Sequence, residues 1–341
     1  MKLRSVNEVL PETRVILKLD LDVPMSDGTV TDNSRLVKSL PTIKLLLEKK
    51  CRLAIIGKLG RPEGHDPELS LRPVYLELMS LLEPGEENLI DSVFVEDISN
   101  LEKLDTALVN NQIIFLENLR FWKGEENNDP DFLRPLVEVS QFFVNDALAV
   151  SHRHERSNLL YKNLPGFYGL AFIDEVEKIL KVVNNPLRPI TVILGGAKED
   201  KLSYLPELEK IADYVLIGGK LPRLISNDQN YNSEKVFIAK LRADALDLSD
   251  DDIAKFSEII RNSKTIIWAG AMGFFEKEDC RLGTQAIATT VANSQAYKII
   301  AGGDTGASIK NLGLESKIDL IASGGGVMLE LLTKGSLPAW N

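Results

Sequence analysis

Lysine and arginine side chains follow several short apolar runs in the first half of the chain. In LAIIGKLGRP, residues 53–62, an apolar run leads into a loop that carries Lys58 and Arg61. A solvated turn could hold one or two such cations, but in an open α/β sheet the loops beyond the carboxyl ends of the strands bind ligands. Repeated cations in such loops predict a site for a small, multiply anionic ligand. The candidate residues are Asp20, Arg35, Lys58, Arg61, Arg120, His152 and Arg153.

Glycine-rich loops take the corresponding positions in the second half. They are LGGAKEDK (194–201), IGGK (217–220), AGGDTGAS (301–308) and ASGGGVMLELL (322–332). Glycine lets a ligand approach the backbone closely, and a helix N-terminus offers free N–H groups to an anion. Tight turns alone would explain one such pair, whereas four loops favour a phosphate cradle, although the P-loop and GxGxxG patterns are both absent. Asp304, beside the glycines, suits a Mg²⁺ ion bound together with phosphates.

Buried strands and amphipathic helices must position these loops. Apolar, β-branched runs occur at 15–17, 53–56, 113–116, 142–144, 190–194, 214–217, 236–239, 265–268, 298–301 and 320–322. Helical spacing of apolar residues appears between them, as in 71–82 and 249–260. Strands buried on both faces and alternating with helices predict an α/β fold with parallel sheets.

A domain boundary is predicted near residues 163–189. NLPGFYG (163–169) and NNPLRP (184–189) both indicate loops, and the segment between them has the spacing of an amphipathic helix. We expect this helix to connect two doubly wound lobes. A basic lobe, a glycine-loop lobe and a connecting helix together suggest a phosphotransferase that closes about a hinge.

Composition narrows the class of protein. The chain has 341 residues, 44% of them hydrophobic, and a formal net charge of −10. This acidity argues against nucleic acid or an anionic membrane as a partner. Cys51 and Cys280 suggest neither a disulfide framework nor a metal motif, and no apolar run is long enough for a signal or membrane segment. We therefore expect a cytoplasmic monomer that binds small molecules.

The order of the motifs resembles that of the phosphoglycerate kinase family along nearly the whole chain. LGRP, ENLRF, VNDA, HR, GGAK, GGDT and GGG follow one another between LDLDVP and GSLPAW. The resemblance implies reversible, Mg²⁺-dependent phosphoryl transfer between 1,3-bisphosphoglycerate with ADP and 3-phosphoglycerate with ATP. It also implies two Rossmann-like lobes with parallel sheets. These would be a substrate lobe over 1–168 with the tail 328–341 packed on it, a hinge helix over 169–185 and a nucleotide lobe over 186–327.

The same resemblance assigns roles to single residues. Arg35 and Lys198 would stabilise the transferring phosphoryl group, with Lys201 as a third catalytic residue, because this chemistry needs positioning and charge rather than a base. Asp304 would hold Mg²⁺ with ATP or ADP. The substrate residues would be Asp20, Leu21, Asp22, Arg35, Lys58, Leu59, Gly60, Arg61, Arg120, His152 and Arg153. The nucleotide residues would be Gly195, Gly196, Lys198, Lys201, Gly218, Gly219, Glu276, Gly302, Gly303, Asp304, Thr305 and Gly325.

Several positions depart from the family pattern. Asp22 replaces an asparagine, and Lys58 and Glu155 each stand where the family has a histidine. WAGA (268–271) replaces W-N-G-P, the second lysine of GGAKEDK comes one residue early, and the stretch from 219 to 268 is shorter. We predict that Lys58 bridges Asp22 and the substrate, with Arg156 or His154 offsetting Glu155.

Two alternatives remain open beside the phosphoglycerate kinase hypothesis. A kinase of the same fold could act on another small phosphorylated carboxylate, as the substitutions at Asp22, Lys58 and Glu155 suggest. A catalytically silent nucleotide-binding homologue would fit the displaced lysine and the shortened stretch, but not the presence of Arg35 and Lys198. A dehydrogenase is disfavoured because no dinucleotide fingerprint follows the first strand.

Overall fold

The computed structural model describes residues 3–82, 90–225 and 234–340. The chain divides into two units, Met1–Asp174 with Pro338–Asn341, and Glu175–Leu337. None of the helices in the described ranges is long and apolar enough to cross a membrane.

The first unit is built around a six-stranded sheet with helices between its strands. Its elements are β1 (Arg14–Leu19), β2 (Met25–Ser26), β3 (Thr29–Val30), α1 (Ser34–Glu48), β4 (Arg52–Ile56), α2 (Arg72–Leu82), β5 (Ser92–Val95), α3 (Leu101–Asn110), β6 (Ile113–Leu116), α4 (Lys123–Glu126), α5 (Arg134–Glu138), β7 (Phe142–Asp146), β8 (Gly166–Tyr168) and the start of α6 (Leu170–Asn184).

All the strands of this sheet are parallel, in the order β5-β6-β4-β1-β7-β8, while β2 and β3 form a separate antiparallel hairpin. Leu17 lies opposite Ile55 of β4 and Val144 of β7. Successive residues of a strand point to opposite faces, so Leu17 joins one apolar core and Ile16 the other. Burial on both faces explains why β1 is apolar after Arg14, with Lys18 as the one exception.

The second unit repeats this plan. Its elements after α6 are β9 (Ile190–Leu194), α7 (Leu205–Ile211), β10 (Tyr214–Ile217), β11 (Val236–Ile238), α8 (Asp250–Asn262), β12 (Thr265–Ala269), α9 (Leu282–Asn293), β13 (Tyr297–Ala301), α10 (Gly303–Asn311), β14 (Leu320–Ala322) and α11 (Gly325–Lys334). The parallel order is β11-β10-β9-β12-β13-β14. Trp268 of β12 and Phe256 of α8 are fully buried in the main core of this unit.

The predicted fold class, α/β with two parallel doubly wound sheets, is confirmed. Every apolar run predicted as a strand lies in one, apart from the last residue of 236–239. The interpretation of 163–169 as a loop is wrong, because Gly166–Tyr168 forms β8 and pairs with β7. The edge strand β5 and the β2–β3 hairpin also escaped prediction, since each is only two to four residues long.

The end of the chain contributes to the first unit. Tyr161 Oη donates to the carbonyl of Pro338 at 3.1 Å, and Tyr168 Oη donates to that of Ala339 at 3.2 Å. The Ala339 N–H donates to Ser151 O at 3.3 Å. These bonds tie the tail to the segment after β7 and to β8, whereas α11 belongs to the second unit.

Candidate active site

The polar loops of the first unit share one edge of its sheet. β1, β4, β6 and β7 are parallel neighbours, so their carboxyl ends meet at the same side. The loops that leave these ends carry the predicted anion-binding residues, and α1 brings Arg35 to them in its first turn. The topology therefore gathers residues far apart in sequence, as the ligand rule for open sheets requires.

Asp20 orients Arg35 through an ion pair in which one guanidinium nitrogen contacts both carboxylate oxygens. Nη1 of Arg35 lies 2.9 Å from Oδ1 and 3.0 Å from Oδ2 of Asp20. Burial raises the pKa of Asp20 above its usual value, and the adjacent Arg35 offsets this only in part. One third of the Arg35 side chain is still exposed, so the guanidinium is oriented and also accessible to an anion.

Asp22 and Arg120 hold the LGRP loop in place. The Gly60 N–H donates to Asp22 Oδ1 at 2.9 Å, and Arg120 donates to the Gly60 carbonyl. Gly60 has φ +59°, in the left-handed region, and a Cβ there would collide with Leu69 at 2.6 Å. Arg120 is thus buried and partly committed to the loop, while Arg61 is exposed beyond it.

Leucines among the predicted substrate residues serve as packing. Leu21 and Leu59 are both buried, and a Cβ on Gly57 would lie 2.4 Å from the Leu21 side chain. Asn118, which the sequence did not single out, accepts from the Leu59 N–H at 3.2 Å and donates to the Leu59 carbonyl at 2.7 Å. Asn118 thereby connects the loop after β6 to the loop after β4 through hydrogen bonds.

Lys58 is not where the sequence placed it. Its ammonium lies 2.5 Å from Glu125 Oε1 and donates to Glu155 Oε2, and its side chain is only 3% exposed. The predicted bridge from Lys58 to Asp22 is wrong, because Asp22 bonds to the loop backbone instead. The predicted offset of Glu155 by Arg156 or His154 is wrong as well, since Lys58 neutralises it.

The rest of this edge is less tightly held. His152 and Arg153 are half-buried on the turn after β7. Arg153 Nη1 lies 3.4 Å from Glu155 Oε1. Glu125 accepts hydrogen bonds from the N–H and Oγ of Ser157. The sequence analysis missed its role, because an acidic residue after LENLRFWKG gives no sign of its partner.

In the second unit the equivalent edge is made of backbone. The Gly196 N–H donates to Ala271 O at 2.7 Å, and the Gly219 N–H donates to Met272 O at 3.0 Å. A Cβ on Gly195 would lie 2.3 Å from Ala271 O, and one on Gly219 would lie 2.5 Å from Gly196 N. The loops after β9, β10 and β12 therefore approach one another so closely that Gly195 and Gly219 have no room for a Cβ.

Lys201 covers this edge from inside. Its ammonium donates to Gly195 O at 2.7 Å and to Ala269 O at 3.1 Å. Burial lowers its pKa to about 8. Lys198, three residues earlier, is exposed at the start of a short helix, so the two lysines differ in access.

Two helix N-termini complete the cradle. Gly302, with φ +109°, precedes α10, and the Gly303 and Asp304 positions in its first turn are exposed. A Cβ on Gly325, the first residue of α11, would lie 4.0 Å from Gly302 Cα, so the helices start close together. Thr305 is buried, and its Oγ1 accepts from the Gly270 N–H at 2.9 Å. Glu276 is exposed after β12.

The donor set fits a Mg²⁺ ion held jointly with a nucleotide. Within the described ranges no three acidic, histidine or cysteine side chains cluster as a self-contained metal site. Asp304 is an exposed carboxylate beside two helix N-termini. It suits a Mg²⁺ ion carried by phosphates, since that ion is usually bound through one or two carboxylates plus the phosphate oxygens.

A cation-lined edge in one α/β unit, and glycine loops beside two helix N-termini in the other, are typical of a phosphotransferase. A family model described as phosphoglycerate kinase matches residues 6–245 and 225–335. The chain belongs to the phosphoglycerate kinase family. Its function and enzyme class are those of the family, a glycolytic phosphotransferase with a carboxyl group as acceptor.

Individual relatives agree with the family match. Phosphoglycerate kinase of Dictyoglomus turgidum is 34% identical over 385 residues, covering 97% of this chain and 96% of the relative. That of Thermosipho africanus is 35% identical over 379 residues, covering 95% and 93%. Both aligned lengths exceed the 341 residues of this chain, so these relatives carry segments that it lacks.

Solved structures show the same likeness. The Coxiella burnetii phosphoglycerate kinase superposes with a TM-score of 0.79 at 29% identity, covering 99% of this chain and 98% of the other. The Pyrococcus horikoshii enzyme has a TM-score of 0.80 at 24% identity, covering 99% and 97%, which shows a common fold.

Proposed function

We propose that the first unit binds 3-phosphoglycerate and that the second binds the magnesium nucleotide. The observation that carries this assignment is the contrast between the two sheet edges. One presents several partly exposed cations, and the other presents interlocked glycines beneath two helix N-termini. A sugar-acid phosphate with two anionic ends suits the cations, and a polyphosphate suits the N–H groups.

Arg35, Arg61 and Arg153 are the cations that would contact the phosphoglycerate. Each has part of its side chain exposed, and Asp20 keeps Arg35 in one orientation. His152 and the backbone at Gly60 would add polar contacts. The loops that hold these groups are shaped by four other residues. Arg120 and Asp22 form hydrogen bonds with the Gly60 backbone, and Leu21 and Leu59 are buried.

Nucleotide phosphates would lie on the glycine loops and the N-termini of α10 and α11. Lys201 would supply positive charge from the protein side of the loops. Asp304 would bind the Mg²⁺ ion together with the phosphates, and that ion neutralises phosphate charge when it is bound. Gly218 and Gly219 line the neighbouring loop, and Glu276, which is exposed after β12, would bind the ribose. Thr305 steadies the start of α10 through Gly270.

Charge stabilisation of the moving phosphoryl group falls to Arg35 and Lys198. Neither needs to exchange a proton, because phosphoryl transfer depends on positioning and on neutralising charge over the equatorial oxygens. The exposed Lys198 can follow the group as it moves, whereas Lys201 is bonded to two carbonyls.

The substitutions at Lys58 and Glu155 do not point to another acceptor. They pair with each other and are buried, so neither side chain is directed at the substrate. This favours 3-phosphoglycerate over a different phosphorylated carboxylate.

A coupled assay with 3-phosphoglycerate and Mg-ATP tests the proposal. Turnover that disappears in Arg35→Ala, with the exposed Arg134→Ala unchanged, supports it. Binding of Mg-ATP without turnover would support the silent homologue instead. We expect a cytoplasmic monomer, which light scattering of the purified chain and fractionation of cells can check.

A further inference from the structure

One carboxylate of the first unit joins a sealed cation to an accessible one. Glu155 accepts from Lys58 through Oε2, and its Oε1 lies 3.4 Å from Arg153 Nη1. The Lys58 side chain is 3% exposed, whereas that of Arg153 is 36% exposed. Glu155 is thus held tightly on its inner side and loosely on its outer side.

Groups around this carboxylate keep it ionised. Burial alone would raise the pKa of Glu155, but Lys58, and after it Lys18 and Arg153, hold the pKa below its ordinary value. Lys18 is fully buried and donates to Asn158 Oδ1, and burial together with repulsion by Lys58 lowers its own pKa well below the usual range. Glu125 forms an ion pair with Lys58 and accepts a hydrogen bond from the Ser157 N–H. Two lysines and two carboxylates form this cluster, and Glu155 connects it to Arg153, whose side chain is 36% exposed.

A carboxylate beside an arginine reduces the positive charge that the arginine offers to an anion. Lys58 counteracts that reduction, because it neutralises Glu155 from inside. Lys58 itself has no free face for a ligand, since its ammonium lies between two carboxylates in the interior.

We propose that Lys58 and Glu155 act as one unit that sets how much of the charge of Arg153 is available to the phosphoglycerate. Lys58 is then a positioning residue that acts through Glu155, and not a group that contacts the substrate. This inference rests on the assignment of Arg153 to the substrate proposed above. It also explains two departures from the family pattern together, because Lys58 and Glu155 form an ion pair in the fold.

The test measures kcat and the KM values for 3-phosphoglycerate and Mg-ATP in Lys58→Met, Glu155→Gln and the double variant. Glu155→Gln should lower the KM for 3-phosphoglycerate by about two- to fivefold, because Arg153 loses a competing carboxylate while Lys58 keeps Glu125. Lys58→Met should raise that KM by about tenfold or more, because the uncompensated Glu155 then draws in Arg153. The double variant should return to within about threefold of the wild type.

The KM for Mg-ATP should stay unchanged in all three variants, because the second unit is not altered. The matched control is Lys210→Met with Glu207→Gln, an exposed ion pair of the second unit whose removal should leave every constant unchanged. Melting temperatures identify any variant that fails to fold. If Lys58→Met does not fold, Glu155→Gln decides alone, since it leaves Lys58 one carboxylate partner.

Recovery in the double variant is the result that a purely structural role would not give. A KM for 3-phosphoglycerate that is unchanged or raised in Glu155→Gln overturns the inference, as does a double variant worse than Lys58→Met. A wild-type chain without activity on 3-phosphoglycerate would overturn the proposed function first, and this inference with it.

Discussion

The sheet edges that carry the proposed ligand sites are held together by side chains in the first unit and by backbone in the second. In the first unit, side chains fix one another in pairs, such as Asp20 with Arg35 and Lys58 with Glu155. In the second, backbone atoms of glycine loops fix one another, as Gly195 and Gly219 show. A side-chain pair can be exchanged for another pair of similar size and charge, whereas the backbone contacts at Gly195 and Gly219 leave no room for a Cβ.

This difference explains the pattern of single-residue substitutions at the two edges. Asp22, Lys58 and Glu155 are exchanged side chains of the first unit. In the second unit, WAGA changes the residues on either side of Gly270 but keeps the glycine, where a Cβ would lie 2.2 Å from Gly195 O. Substitution is tolerated where a neighbour can compensate for it.

The largest expected effect comes from the one exposed lysine of the GGAK loop. Lys198→Ala should lower kcat by about 10³-fold while changing the KM for Mg-ATP far less, because its charge is needed most in the transition state. Steady-state kinetics with Lys210→Ala as the surface control checks this. An unchanged kcat would transfer the role to Lys201.

Glycine substitutions test the claim that the second edge is fixed by its backbone. Gly195→Ala should reduce the free energy of unfolding by about 1–3 kcal/mol, because its Cβ would lie 2.3 Å from a carbonyl oxygen that cannot move aside. Gly303→Ala is the matched control, since nothing lies within 4 Å of its Cβ. Urea denaturation of both variants measures the difference. Equal stabilities would mean that the loops can move apart, and the comparison would fail.

Much of this architecture could be predicted from sequence because it depends on local signals. The runs at 53–56 and 190–194 are continuously apolar, and the loops that follow them carry cations or paired glycines. Sheet topology then places those loops at one edge without further information. The short strand Gly166–Tyr168 was missed because three residues after a proline carry little periodic signal.

The pairing of charges could not be predicted in the same way. Lys58 and Glu155 are 97 residues apart, and which carboxylate reaches Lys58 depends on how the loops after β4, β6 and β7 pack. Residue types show that charges are present, and three-dimensional packing decides which of them are used internally. The assumption that an anion-binding lysine faces the substrate failed for that reason.

A smaller, pH-dependent effect is expected at Lys201. Its pKa of about 8 means that the ammonium is charged at neutral pH and loses its proton as the pH rises above that value. Nucleotide phosphates attract only the charged form, so the KM for Mg-ATP should rise by up to about tenfold per pH unit above that pKa. Lys201→Arg, which stays charged, should flatten the profile. A flat profile in the wild type would mean that the lysine remains protonated throughout.

The smallest effect is predicted for Asp22, and it tests whether side-chain pairs of the first unit are exchangeable. Asp22 Oδ1 accepts a hydrogen bond from the Gly60 N–H at 2.9 Å. An asparagine carbonyl can accept the same bond, and removing the charge also relieves repulsion of the neighbouring Asp20. Asp22→Asn should therefore change the KM for 3-phosphoglycerate by less than about threefold, whereas Asp22→Ala, which loses the bond, should cost about 1 kcal/mol of stability and loosen the LGRP loop. Thermal denaturation and initial rates on both variants separate the contribution of the hydrogen bond from that of the negative charge. A large rise in KM for the asparagine variant alone would show that the negative charge itself has a role at the substrate edge, and that this position is not simply exchangeable.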